Sequence, residues 1–371
     1  MSQEKGHEEL TRLIEEAQVL PPVSAKAAAV FSANKKALVD SVNAAMSARD
    51  NLSLLTGGAP MEIMATHHER QADFMANVFI LNQFELLVKT FVWLYRSYRA
   101  HGFSYDYFPV ELRAWVTTIE NHLAAEHRAQ ILGVYRWMIE VHERIALIAD
   151  QPADDTELDL SLAYNPQFLN ALLNADHGEA LAMAQEVRNA GDFKSFLIDV
   201  IQPSMYEIGR LWENNEISVA QEHLASSIVG RVMTQLYTSI VSVKPTKGRV
   251  LITAAPNEFH EIGAWMVSDL LELDGWQVLY LGANTPMDAL IETLEDYKPQ
   301  LLAISVAMPC NLDKVGKIIS GIRGKKSLNA TTIMVGGRVF LTVPDIWTEI
   351  GADATAADAR VAVTVARRFC S

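Results

Sequence analysis

Four apolar runs in the last third of the chain constrain its fold more than any other feature. RVLITAA (249–255), WQVLYLGA (276–283), QLLAISVAM (300–308) and TTIMVGG (331–337) are each followed by about ten to twenty residues of helical pattern, and a weaker run, GADATAA (351–357), closes the series. The runs lack the polar alternation of a strand with one wet face. Strands apolar on both faces, separated by helices, predict a five-stranded, doubly wound parallel sheet covered on both sides, an α/β domain over residues 246–371. Ligands of such sheets bind beyond the carboxyl ends of the strands.

Upstream of Lys244-Pro-Thr-Lys-Gly248 the pattern is helical. Residues 160–245 hold four short amphipathic segments, broken near Asn174-Ala-Asp, at Ala190-Gly-Asp and at Asn214-Asn215, which predicts an antiparallel four-helix bundle. QPADDTELD (151–159) is acidic and aperiodic and reads as a linker. Residues 1–150 form an all-helical domain, with breaks at Pro21-Pro22 and Gly57-Gly-Ala-Pro60, one long helical stretch from Glu62 to Ala100, the aromatic loop GFSYDYFP and a new helix beginning at Pro109.

Half of the 371 residues are apolar, as packed domains require. A net charge of −14 and the lack of any DNA-reading module argue against direct nucleic-acid binding, which needs clustered Lys and Arg. Cys310 and Cys370 have neither disulfide-framework nor metal-site spacing, which suits a reducing cytoplasm. The polar N-terminus and the lack of an apolar run near ~20 residues predict a cytosolic protein without a membrane span.

The turn after the first strand reads Glu258-x-His260-x-x-Gly263. It has no Gly-x-Gly-x-x-Gly, and the early strands end without the acidic residues of a phosphoryl receiver. A histidine here can offer one ring nitrogen to a metal while a neighbour or a backbone carbonyl orients the other, and Gly263 removes a side chain from the helix start. The third strand ends at Ser305 and the fourth at Gly336-Gly337, small residues that would open a slot beside the sheet. Together these elements resemble the Rossmann-like cobalamin-binding fold, whose fingerprint is Asp-x-His-x-x-Gly, then Ser-x-Leu, then Gly-Gly. The resemblance implies that His260 is the lower cobalt ligand and that the detached nucleotide tail enters the slot. Glu258 stands for the usual Asp and Ala307 for the usual Leu.

In that family a helical bundle commonly caps the corrin. Ser218-Val-Ala-Gln221 forms a capping box, so a helix should begin at Ser218, with Trp212 on the end of the preceding one and Val219, Glu222 and His223 in the first turn. Trp212-x9-Glu222-His223 resembles the motif of the CarH-type B12-dependent light sensors. That likeness implies that Trp212 packs against a 5′-deoxyadenosyl group, Val219 lines its pocket, and Glu222 and His223 supply polar contacts. Glu213 departs from the pattern, because the sensors often carry there a His that captures cobalt after photolysis.

The N-terminal domain is not the helix-turn-helix of those repressors. Residues 62–148 resemble globin-like sensor domains that lack haem, and the combination is similar to the photocobilins, which pair adenosylcobalamin with a bilin. On that likeness biliverdin would be held noncovalently, since neither cysteine lies in this domain. Arg96 and Arg99, three apart on a helix, could meet its propionates, and Tyr95, Tyr98, His101 and His122 could supply walls and polar contacts. The expected function is a light-sensing, non-enzymatic signalling protein, with no catalytic residues. It would act on an unknown protein partner, away from membranes, as a homo-oligomer, most simply a dimer. The alternative is a corrinoid methyl carrier for separate methyltransferases.

Overall fold

The computed structural model describes residues 3–151, 164–240 and 244–369. All but the first residue of the expected 151–159 linker, and Cys370, lie outside the described residues. The chain divides into two compact units, residues 1–154 with 213–215, and residues 155–212 with 216–371.

The first unit is helical throughout its described part: α1 (Gln3–Gln18), α2 (Ala25–Ser47), α3 (Leu52–Thr56), α4 (Met61–Leu81), α5 (Phe84–Ala100), α6 (Tyr107–His122), α7 (Ala125–Glu140) and α8 (His142–Ala149). Two boundaries differ from the sequence reading. The stretch from Glu62 to Ala100 is broken at Asn82, whose left-handed backbone (φ 52°) caps α4 and whose side chain bonds the Val23 amide at 2.7 Å. Asparagine tolerates this conformation better than most residues, so it ends the helix without glycine. Helix α6 starts at Tyr107, not Pro109. Pro109 still costs nothing there, because the first four amides of a helix have no internal acceptor. The core is aromatic: Phe31 meets Phe79 edge-on at 5.0 Å, and Trp115 stacks on Tyr135 at 6.1 Å.

The second unit opens with the expected bundle. Its helices are α9 (Pro166–Leu173), α10 (His177–Ala190), then α11 (Phe193–Ser195) running through a π-helical segment (Phe196–Ile201) into α12 (Gln202–Glu213), and α13 (Val219–Ile240). Asn165 caps α9 and Asp176 caps α10, while Gly191, at φ 76°, closes α10. All three predicted breaks are real breaks.

The α/β part follows as β1 (Arg249–Ala254), α14 (Ile262–Leu273), β2 (Gln277–Tyr280), α15 (Met287–Tyr297), β3 (Leu301–Ser305), α16 (Leu312–Arg323), β4 (Thr332–Gly336), α17 (Arg338–Thr342), α18 (Ile346–Glu349), β5 (Ala354–Ala356) and α19 (Ala359–Ala366). The sheet is parallel, in the order β2-β1-β3-β4-β5. The strand order reverses between β1 and β3, and that switch point is where ligands of open sheets bind. Apolar residues of the bundle and of the sheet layer share one buried cluster, which includes Phe168, Phe196, Val229, Ile252, Leu271 and Trp276. The bundle is thereby fixed to the sheet domain by packing.

Candidate functional site

Four adjacent strands, β1, β3, β4 and β5, end on a level. Ala254 pairs with Ser305, Ser305 with Gly336, and Gly336 with Ala356, so a row of small residues crosses the carboxyl edge of the sheet. The glycines answer first to backbone packing. A Cβ on Gly337 would stand 2.3 Å from the Val306 carbonyl oxygen, at φ 109°, and one on Gly336 would stand 3.1 Å from the Ala356 carbonyl oxygen. Neighbouring backbone therefore requires both positions to lack a side chain, Gly337 strictly and Gly336 less so. Gly337→Ala should cost about 2 kcal/mol or more, as a positive-φ position that also meets backbone. Chemical denaturation would measure it, with Gly336→Ala as the milder comparison.

The loop after β1 carries the chemistry. Glu258 is fully buried and straddles the switch point. One carboxylate oxygen, Oε2, accepts the Ala307 and Met308 amides at 2.9 Å each and the Asn311 side-chain amide at 3.2 Å, all from the loop after β3. The other, Oε1, accepts the His260 backbone amide at 3.2 Å and bonds His260 Nδ1 at 2.5 Å. Burial alone would raise the acid's pKa, but the hydrogen bond and charge of His260, with the Met308 amide and Asn311, outweigh it and bring it down to about 2. An ionised carboxylate can only accept, so Nδ1 carries the proton, and whenever the ring is neutral its lone pair sits on Nε2. The imidazole side chain is 64% exposed. A buried carboxylate that orients an exposed imidazole through Nδ1 is the arrangement by which proteins prepare a histidine for a metal.

The same loop is braced from a third side. The Asn284 side chain accepts the Asn257 amide at 2.8 Å, and the Asn284 amide donates to the Glu258 carbonyl at 3.1 Å. Both asparagines have positive φ. Phe259 is held outward between Glu258 and His260, 70% exposed. Gly263 is the second residue of α14, and a Cβ on it would meet no protein atom within 4 Å. Its missing side chain serves no internal packing.

The bundle residues form a second group. The Ser218 hydroxyl accepts the Gln221 amide at 3.3 Å, and Gln221 Oε1 accepts the Ser218 amide at 3.0 Å, the reciprocal pair of a capping box. That cap places Glu222 and His223 in the first turn of α13, where a negative charge is also favoured by the helix dipole. His223 Nδ1 bonds Glu222 Oε2 at 2.6 Å, and the Ser226 hydroxyl donates to Glu222 Oε1 at 2.9 Å. His223 and Val219 are exposed, and Trp212, in the last turn of α12, is half-buried against the shared core.

In the first unit, Tyr95 and Tyr98 lie in an aromatic cluster. Tyr95 stacks on Phe108 with centroids 3.6 Å apart and bonds His142 Nδ1 at 2.9 Å, and Tyr98 meets His67, Phe103 and Phe108. The Arg99 guanidinium lies 5.5 Å over Tyr105, Arg96 is half-buried on the same helix, and His101 Nδ1 is spent on the Ser97 carbonyl at 2.8 Å. His122 is placed elsewhere: its ring bonds Ser41 at 3.1 Å and the Thr118 carbonyl at 3.0 Å.

Residues 248–365 match a family model described as a B12 binding domain, and residues 165–237 match a second model of the same description. The HTH-type transcriptional repressor CarA of Myxococcus xanthus is 25% identical over 167 residues, 45% of this chain and 55% of that protein, so the chain spans about half of that relative's length. Monomethylamine corrinoid protein 1 of Methanosarcina mazei is 27% identical over 205 residues, 53% of this chain and 93% of that protein. Among solved structures, the Methanosarcina barkeri monomethylamine corrinoid protein aligns at 24% identity with a TM-score of 0.49, covering 58% of this chain and 99% of that one. No helix among the described residues is long and apolar enough to cross a membrane. The bundle and sheet of the second unit, residues 165–237 and 248–365, are a cobalamin-binding module.

Proposed function

We propose that the protein is a light-responsive, non-enzymatic signalling protein that holds adenosylcobalamin. His260 would be its lower cobalt ligand, through Nε2, oriented by Glu258. Ser305, Gly336 and Gly337 would border the detached nucleotide tail, and Trp212, Val219, Glu222 and His223 would surround the adenosyl group. The observation that carries the reading is the Ser218–Gln221 capping box, because it holds the Glu222–His223 pair one turn into α13, directly after the helix that ends beside Trp212. Adenosylcobalamin supplies, when bound, a cobalt–carbon bond that visible light breaks. The chain's part is to enclose that bond, to keep the imidazole in one tautomer below it, and to couple the space beside Trp212 to the bundle. Since the bundle shares its core with the sheet domain, a change at Trp212 reaches packed helices and not a loose loop.

Biliverdin would bind noncovalently in the globin-like first unit, near the cluster around Tyr95, Tyr98, Arg96 and Arg99. Output would pass to a protein partner in the cytoplasm or change a homodimer, without direct DNA contact. The test is an absorption spectrum of the full chain loaded with adenosylcobalamin and biliverdin, in darkness and after green or red light. We expect a light-driven change of the corrinoid bands and a separate bilin band. An adenosylcobalamin spectrum unmoved by light defeats the sensor reading, and the absence of a bilin band removes the second chromophore.

The second reading, a corrinoid methyl carrier, draws on relatives such as the monomethylamine corrinoid protein, matched over nearly its full length. A carrier would accept and pass on a methyl group in the dark, whereas the sensor would prefer adenosylcobalamin.

A further inference from the structure

The helix that leads to Trp212 is irregular at one place. Phe196–Ile201 is π-helical, and the Gln202 amide bonds the Leu197 carbonyl, five residues back where an α-helix would reach four. A π turn holds one residue more than an α turn. Everything beyond it therefore lies about 100° of rotation and about 1.5 Å of rise from where an unbroken α-helix would put it.

Two neighbouring residues pull this segment in opposite directions. Pro203 has no amide hydrogen to give the Asp199 carbonyl, and its ring would collide with that carbonyl in an α turn. A wider turn just before the proline relieves the collision. Ser204 follows, fully buried, and its hydroxyl has no hydrogen-bond partner. In a regular α-helix a serine hydroxyl satisfies itself on the carbonyl four residues back, here Val200. The wide register thus suits Pro203 and leaves Ser204 unmet. Phe196, Leu197, Ile198, Ile201 and Pro203 are all buried, so the segment's register is felt by the bundle core. On its outer side, Asp199 pairs with Arg360 of α19 at 3.1 Å, linking it to the sheet domain.

We infer that Phe196–Ile201 is a register joint that sets the rotation of Trp212. In the wide register the indole faces the group above cobalt; in the α register it is turned away. Pro203 is a positioning residue that acts through Trp212, and the unmet hydroxyl of Ser204 is a cost of the wide register. The inference rests on the reading of Trp212 as the neighbour of the upper ligand.

The test uses the full chain with Pro203→Ala and Ser204→Ala. Pro203→Ala restores the amide and should favour the α register. We expect a roughly tenfold loss of selectivity for adenosylcobalamin over methylcobalamin, with the His260-ligated corrinoid spectrum unchanged. In cofactor-free protein, amide exchange over 199–207 should slow, and the Trp212 emission, isolated by difference from Trp212→Phe in each background, should shift. Ser204→Ala removes the unmet hydroxyl, so it should raise the melting temperature and keep both the selectivity and the emission. Unchanged exchange and unchanged Trp212 emission in Pro203→Ala overturn the joint. If the unaltered chain shows no preference for adenosylcobalamin, the reading of Trp212 falls, while exchange and emission still decide whether the joint exists.

Discussion

Replacing Glu258 by Gln is expected to lower cobalamin affinity about 10- to 100-fold, the usual cost of losing the group that orients a metal-binding histidine. The amide cannot reproduce what the carboxylate does. One of its ends is a donor, so either the Ala307 and Met308 amides or the His260 Nδ1–H loses its acceptor. The same substitution reads out without any cofactor. The folded pKa of about 2 lies below the ordinary 4.5, so the carboxylate contributes stability that is complete above pH 4.5 and is lost as pH falls through 2. That difference corresponds to about 3 kcal/mol for this buried group. Calorimetry should therefore find a large gap in melting temperature between the two proteins at pH 6 that closes toward pH 2. His260→Ala provides the complementary control. It should abolish the His-ligated corrinoid spectrum and leave the cofactor base-on or weakly held, while the amides of Ala307 and Met308 keep their acceptor. Wild-type affinity in Glu258→Gln would mean that the histidine orients itself.

Much of this arrangement could be read before any coordinates, and the reason is physical. The inner strands β1, β3 and β4 announce themselves because both faces are buried, which leaves almost no polar residue to interrupt runs such as Leu301–Ile304, whereas the edge strand β2 is only partly buried. The bundle's breaks carry their own chemistry in Asn174, Gly191 and Asn214-Asn215, and the capping box at Ser218 is a local hydrogen-bond pattern. Glu258 and His260 are two residues apart, so their pairing is local too. What stayed hidden depends on distance in sequence. Nothing near Glu258 signals that the backbone of Ala307 and Met308 and the side chain of Asn311 close over it from about fifty residues away. Gly337 reads in the sequence only as a small residue, because the Val306 carbonyl that requires it has no sequence signature. The π segment escaped for a related reason: Pro203 inside a helical pattern predicts a kink or a break, and only packing decides that the helix widens and continues.

A Glu111→Gln variant should become the more stable protein as pH rises. Glu111 is buried in α6, where Trp115 Nε1 donates to it at 2.8 Å and the Gln71 amide is placed to donate as well. His68 Nε2 lies 3.9 Å away, itself bonded to the Tyr107 hydroxyl at 2.9 Å, with Nδ1 against Asn43 at 2.6 Å. The proximity suggests an ion pair, but burial forbids one. It pushes the acid up to about 8 and the histidine down to about 4, so across that interval both are neutral. For Glu111 the folded state holds a proton that the unfolded chain releases above 4.5. Stability is then lost as pH rises from 4.5 through 8, by up to about 5 kcal/mol for a group this deeply buried. Gln keeps the acceptor for Trp115 and cannot ionise. His67 and His68 are present in both proteins, so their own acid-side losses largely cancel in the comparison. Between pH 5.5 and 8.5 the variant should gain about 3 kcal/mol on the unaltered chain, seen as diverging denaturation midpoints. Glu111→Ala should instead destabilise by about 2–4 kcal/mol even at pH 5.5, where it strands the Trp115 N–H in a cavity. Parallel midpoints for Glu111→Gln and the unaltered chain across that range would mean that Glu111 ionises as an exposed acid does, and that the core around His68 and Tyr107 is wet.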